Sequence, residues 1–262
     1  MSRVLPIFAF LSLATAVSAQ ERRFARSLEA ETLGKGCFEL QQWATLDMEK
    51  DGETYRDVTL REVFAYGFTD TITGIASFNS RFLTVSDTRG VEGGTEFDIG
   101  GSLEIRWQAL DPDADFIGCL LSAEGTSLGH RAGGIGRLAL SKTFGDFRVA
   151  LNGVYEYMRE EVDPPGGDDT TITEYVVDGS FGAAYAISSV FTIGVEAVNT
   201  HTFDGSFGET TSNVTFAGPT LHVAAGDFWA TVSWMQQLGS EEDLDLVRHE
   251  KYFIRVIVGF SF

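Results

Sequence analysis

The last residues of the chain, "KYFIRVIVGFSF" (251–262), alternate without a break. Tyr252, Ile254, Val256, Val258, Phe260 and Phe262 share one side of an extended strand. Lys251, Phe253, Arg255, Ile257, Gly259 and Ser261 share the other, so one face is apolar and the other carries cations. Two settings suit such a strand. In a soluble sheet the apolar face lies on a core and the charged face in water. In a membrane barrel the apolar face meets lipid and the charged face meets a polar lumen.

The opposite end of the chain narrows the choice. "MSRVLPIFAFLSLATAVSAQ" (1–20) has a short leading region with Arg3, an apolar stretch from Val4 to Val17, and the small residues Ser18 and Ala19. It reads as a secretory signal peptide over 1–19, cut after Ala19. The apolar run is short for a bilayer-spanning helix, and no later stretch is long and apolar enough to be one. Gln20 follows the cut, so no cysteine stands there to carry a lipid. Losing Arg3 takes the formal charge from −19 to −20. That acidity excludes nucleic acid as a partner, since its binding needs Lys and Arg at the phosphates. Cys37 and Cys119 are too few for a disulfide scaffold and read as free thiols. Mean hydropathy is near zero while Gly (29) and Phe (21) are plentiful. An exported, helix-poor chain of this kind is either a soluble β domain or an outer-membrane barrel.

After "ERRFARSLEAETLGKG" (21–36), read with Gln20 as a periplasmic N-terminal segment with one helical turn, period-2 segments run to the end. About twelve are predicted, near 37–48, 57–68, 72–83, 96–108, 116–126, 134–144, 147–158, 173–187, 190–200, 214–225, 228–237 and 250–262. Short connections such as "GD" (145–146) and "GD" (226–227) alternate with longer polar ones such as "EEVDPPGGDDTT" (160–171) and "LGSEEDLDLVRH" (238–249). A soluble sandwich has no reason to sort loop length by end, whereas a transmembrane barrel does. The predicted fold is therefore an all-β, transmembrane antiparallel barrel of about twelve strands over 37–262, with short periplasmic turns and longer external loops.

The faces follow. "FDIGGSLEIRWQ" (97–108) sends Phe97, Ile99, Gly101, Leu103, Ile105 and Trp107 outward. Asp98, Ser102, Glu104, Arg106 and Gln108 then point inward. In "LREVFAYGF" (60–68) either Arg61 or Glu62 must face lipid, and alternation alone leaves that open.

The final Phe262, with Phe260 and alternate apolar residues before it, resembles the C-terminal assembly signal of Gram-negative outer-membrane proteins, although Ile257 stands where a glycine is often found. "LGKGCFELQQWATL" (33–46), "LREVFAYGFTDTI" (60–72) and "LSKTFGDFRVALN" (140–152) look like small proteobacterial barrels regarded as transporters, including relatives of the outer-membrane proteins of the phenol meta-cleavage pathway. This resemblance implies the barrel-assembly machinery and periplasmic chaperones as partners, outer-membrane lipid and lipopolysaccharide as surroundings, and small solutes as cargo.

Chemistry-bearing clusters are sparse. "HTFDGS" (201–206) brings His201, Asp204 and Ser206 together, but such a trio in a polar loop is more often turn chemistry than a base and nucleophile. "DPDAD" (111–115) starts like a calcium loop, yet Phe116 and Ser122 stand where Gly and Glu are required. No catalytic residue, metal site or cofactor is predicted. The inward rows carry Glu39, Asp98, Glu104, Glu124, Glu156, Glu174, Asp178 and Glu196 against Arg106, Arg137, Arg148, Lys251 and Arg255, with Arg81 as a further cation and Asn152 and His222 as neutral polar groups. These charges nearly cancel, which places the acidic excess in the external loops and predicts weak cation selectivity at low salt. A balanced lumen either pairs its charges across a filled interior or lines water. The expected function is a monomeric, porin-like channel for passive passage of small solutes. The alternatives are a plugged structural barrel and a lipid-modifying enzyme.

Overall fold

The computed structural model describes residues 21–50, 53–85, 94–162, 170–204, 208–239, 244–246 and 248–262. The signal peptide expected over 1–19 and the acidic loop residues 163–169 and 240–243 lie outside them. The strands are β1 (Phe38–Lys50), β2 (Glu53–Thr69), β3 (Ile72–Val85), β4 (Gly94–Leu110), β5 (Gly118–Leu128), β6 (Arg131–Phe144), β7 (Phe147–Val162), β8 (Thr170–Ala186), β9 (Phe191–Asp204), β10 (Thr210–Ala225), β11 (Phe228–Leu238) and β12 (Tyr252–Ser261). Each pairs antiparallel with its sequence neighbours and β12 returns to β1, closing a twelve-stranded barrel. Closure satisfies every interior strand through its neighbours, the condition for placing backbone in hydrocarbon. The seam is sealed by Phe38 and Phe262, which exchange backbone hydrogen bonds of 3.3 and 2.8 Å.

The two rims differ, though less through loop length than the sequence suggests. At the turn end, Gly145 and Gly226 take positive φ (61° and 63°), which lets two-residue turns reverse the chain. At the other, loop end, much of what reads as loop is strand. β2, β4 and β8 each run 17 residues, beyond the roughly 9–11 that cross a bilayer. Polar side chains at this rim do not prevent backbone pairing, so the ladder continues past the apolar band.

The outward rows are apolar and exposed, as a lipid-facing wall must be: Leu103 is 71% exposed, with Phe97, Ile99, Ile105 and Trp107 all above half. Inward on the same strand, Ser102, Glu104 and Arg106 are buried. On β2 the ambiguity resolves in favour of Arg61 inward. Its guanidinium donates to Ser77 (3.0 Å), Ser102 (3.3 Å) and Glu124 (2.8 Å). Glu62 therefore faces outward, flanked in register by Gln42 and Phe78, with one carboxylate oxygen buried and unbonded. Both cysteines are free.

Residues 21–36 depart from the expectation of a lead-in outside the barrel. They form no helical turn, and they fold inside the barrel as an extended strap near the turn end. Phe24, Ala25, Leu28, Ala30 and Leu33 are almost fully buried there. Leu33 packs on Val63, Ala65 and Ile75; Leu28 and Ala30 pack on Leu120 and Ala139. Phe24 sits over Gly182 beside Ala150 and Ala184, where a Cβ on residue 182 would come within 2.8 Å of its ring.

Candidate functional site

The strap is held mainly through its backbone. Successive N–H groups of Ala25, Arg26 and Ser27 donate to the Glu196 carboxylate at 2.8, 3.0 and 2.8 Å, an anion nest turned inside out, with the ligand supplied by the barrel wall. The Asn152 side chain accepts from Leu28 N–H and donates to Leu28 C=O (2.8 Å). Ser141 accepts from Ala30 N–H and Thr73 from Leu33 N–H, both at 2.9 Å. Thr231 donates to the Arg22 carbonyl. An irregular segment has no ladder of its own, so each buried amide needs such a partner. The anchors come from β3, β6, β7, β9 and β11, so the strap crosses the lumen rather than following one wall.

Above the strap lies a cavity of about 310 Å³ in mid-barrel, lined by Arg22 and Arg26 from the strap and by Trp43, Arg61, Arg106, Arg137 and Arg255 from the wall. A second space of about 230 Å³ toward the loop end, reaching His249, shares Arg26, Thr45, Thr59 and Arg255 with this chamber as lining residues. A smaller cavity of about 130 Å³, lined by Arg23, Arg148 and Asp146, lies at the turn end.

The side chains named from the sequence fall into three groups. Glu104, Arg106, Glu124, Arg137, Glu156, Asp178 and Arg255 all line the chamber. There Arg106 binds Glu104 through two bonds (2.8 and 3.0 Å), Arg137 approaches Glu104 at 3.5 Å and Arg61 pairs with Glu124. A second group serves the strap or the turn end. Glu196 and Asn152 hold backbone; Arg148 pairs with Glu29 (2.9 Å) and Glu31. Buried Glu39 accepts from Ser261 (2.7 Å) and Trp229 (3.3 Å). His222 shares a 2.8 Å bond with Thr231 and lies 3.5 Å from Glu21. The third group sits away from the chamber. Glu174 is exposed near the loop end. Lys251, just before β12, pairs with Glu49 near the end of β1 (3.1 Å) at the loop rim. Asp98 is inward on β4, paired in register with Arg81, whose guanidinium binds Asp57 instead. Phe260 and Phe262 are exposed outside and touch edge to face at 4.8 Å.

Sequence reading misses Arg22 and Arg26 because it sets the strap outside the barrel, and it misses Trp43, on the inward row of β1 with Glu39, because an aromatic there carries no charge to mark it. It also passed over the loop preceding β12, where His249 and Asp245 meet Ser212 of β10. Ser212 Oγ lies 2.7 Å from His249 Nε2 and 3.0 Å from Asp245 Oδ2, so the carboxylate meets the hydroxyl instead of orienting the ring. The arrangement pins the loop into the mouth. At the loop end of β9, in strand rather than loop, His201 stacks on Phe203 on the outer face, Asp204 is the next inward position, and Ser206 lies outside the described residues. Asp111 and Asp115 accept hydrogen bonds from N–H groups of their own turn, and among the described residues no acidic, His or Cys cluster could hold a metal.

Comparison with known proteins adds fold likeness. Residues 147–262, β7 to β12, match a family of unknown function (DUF6662). No curated protein matches the chain. Among solved structures it is similar to the COG4313 outer membrane channel from Pseudomonas putida F1 (12% identity, 89% of this chain and 98% of that one, TM-score 0.62). It is also similar to the translocator domain of autotransporter NalP from Neisseria meningitidis (17% identity, 87% and 89%, TM-score 0.56) and to the KdgM porin (13% identity, 86% and 99%, TM-score 0.50). At these identities the likeness is one of architecture.

Proposed function

We propose that the protein is an outer-membrane channel for passive passage of small solutes, with the strap over 21–36 as its constriction. The observation that carries this reading is the charged chamber above a strap held by hydrogen bonds, with a second space beside it toward the loop end. A plug built for permanence would fill that space with side chains; here water-sized space remains beside ionised groups, which favours a hydrated path. The strap's bonds to Glu196, Asn152 and Ser141 are individually exchangeable with water, so it can open without disturbing the barrel ladder. Export by the segment over 1–19 and recognition of Phe260 and Phe262 by the barrel-assembly machinery belong to the same reading, as do chaperones on the way and lipopolysaccharide around the wall. We read the barrel as non-catalytic, because the residues nearest to a hydrolytic trio are arranged as a loop latch.

The test exploits Ser27 and Ser180, whose hydroxyls lie 3.1 Å apart between strap and β8. In a background with Cys37 and Cys119 replaced by Ser, Ser27→Cys with Ser180→Cys can be oxidised to lock the strap. Conductance in planar bilayers is expected to be low when oxidised and to rise on reduction. Folded protein that conducts in neither state would be a structural barrel.

A further inference from the structure

We propose that the mid-barrel chamber is a binding site for a small oxyanion, a carboxylate or a phosphate, held by the guanidiniums of Arg22 and Arg255. This rests on the channel reading only for its biological setting; the site itself stands on the geometry.

The mid-barrel cavity is lined by six arginines, Arg22, Arg26, Arg61, Arg106, Arg137 and Arg255, against four carboxylates, Glu104, Glu124, Glu156 and Asp178, an excess of two positive charges; Asp47 and Glu250 line only the neighbouring space toward the loop end. The carboxylates are mostly spoken for. Glu104 takes Arg106 and Arg137, Glu124 takes Arg61, and Asp178 takes Arg26 at 3.5 Å and the Thr200 hydroxyl at 2.6 Å. The two arginines left over are Arg22 and Arg255. Among the described residues neither makes an ion pair. Arg255 donates only to neutral oxygens, Thr45 Oγ1 (2.8 Å) and the Ala25 carbonyl (3.2 Å). Arg22 is 6% exposed and its Nε is buried without a partner.

Arg22, Arg61 and Arg255 also converge on one indole, 4.5, 5.2 and 5.9 Å from the Trp43 ring. A cation–π contact recovers only part of what burying a guanidinium costs. Burial, then repulsion from Arg106, Arg137 and Arg255, pushes the pKa of Arg22 well down, yet an arginine does not give up its proton in a protein. A charge that stays, with no carboxylate bonded to it, calls for a counter-anion. The strap supplies none either: its Glu29 and Glu31 face Arg148 and Arg23 on the other side, while Arg22 and Arg26 line the chamber. A planar, forked donor suits the two oxygens of a carboxylate or phosphate, and about 310 Å³ has room for a small molecule.

The experiment is calorimetric titration of the intact, refolded protein at low ionic strength with inorganic phosphate, with benzoate, and with benzyl alcohol as the neutral counterpart of benzoate. Saturable binding of phosphate or benzoate, and none of benzyl alcohol, is expected; which anion binds separates a phosphate site from a carboxylate site. Arg22→Gln should weaken binding about tenfold or more. It should not lower the melting temperature in anion-free buffer, because it removes an uncompensated charge. Arg255→Gln provides the same readout should Arg22→Gln fail to fold. Folded protein that binds neither anion, or variants that bind as tightly as the intact chain, would overturn the proposal. Binding without conductance would leave the site standing and remove the channel; conductance without binding would do the reverse.

Discussion

Replacing Glu196 by Ala should release the strap while leaving the barrel intact. Glu196 is 2% exposed, and its carboxylate accepts the N–H groups of Ala25, Arg26 and Ser27. Its fourth donor, Ser233, has the Pro219 carbonyl at 3.3 Å as a second acceptor, so the wall loses little. A hydrogen bond to a charged group contributes about 1.5–3 kcal/mol, and three sharing one carboxylate do not add fully. Taking about 3 kcal/mol for the set gives about a hundredfold in the equilibrium between docked and open strap. Hydrogen exchange read by mass spectrometry measures that directly. Amides 25–28 should exchange about a hundredfold faster in Glu196→Ala, with β1–β12 ladder amides unchanged and heat-resistant folding of the barrel retained. If those amides stay as protected as in the intact chain, the strap is held by its apolar side chains and the argument from backbone anchoring fails. If the whole ladder exchanges faster, strap and barrel are one cooperative unit.

Other expectations follow from single residues. Glu62→Leu removes an outward carboxylate with an unbonded oxygen and should stabilise the barrel in lipid by about 1–2 kcal/mol, seen as a higher urea midpoint; a lower midpoint would mean that Glu62 has a polar partner in the bilayer. Burial pushes the pKa of His249 below its ordinary 6.5, against the pull of Glu250 and Asp245. The undocked loop therefore binds the proton more readily, so docking of the loop around His249 is at full strength above pH 6.5 and weakens as the pH falls through the folded-state value. Protease cleavage at Arg248 should accelerate in mild acid, and His249→Gln should flatten that profile. Deleting Phe262 should lower the yield of folded protein in the outer membrane at native expression; an unchanged yield would count against Phe262 as part of an assembly signal.

The barrel was readable because lipid imposes a strict rule on every strand. The β4 row from Phe97 to Trp107 can face only one way, and twelve such rows are placed within a few residues of the observed strands. The strap was not readable, because its order is carried by amides meeting Glu196, Asn152, Ser141 and Thr73, a pattern with no period in 21–36. The same fact explains the ambiguity on β2. Val63 and Ala65 are inward and apolar because Leu33 covers them, so both faces of that strand read as oily and the alternation vanishes where the strap touches down. Breaks in alternation on the inner rows, also seen at Leu120 and Ala139, thus mark where something enters the lumen. The chamber charges were named largely from the wall, but their imbalance needed Arg22 and Arg26, which only the folded strap delivers.

The strap precedes β1 in the chain, yet its anchors span the barrel. Ala25 meets Glu196 across 171 residues, and Arg22 meets Thr231 across 209. The segment before β1 is therefore the last to find its place, since no complete set of anchors exists until β11 has joined the wall. During insertion the barrel is necessarily hollow at this end, and its cations are open to solvent. Docking of the strap then records that the sheet has been assembled in register, because a slip of one residue would turn Glu196, Asn152 and Thr231 outward and leave the strap nothing to hold.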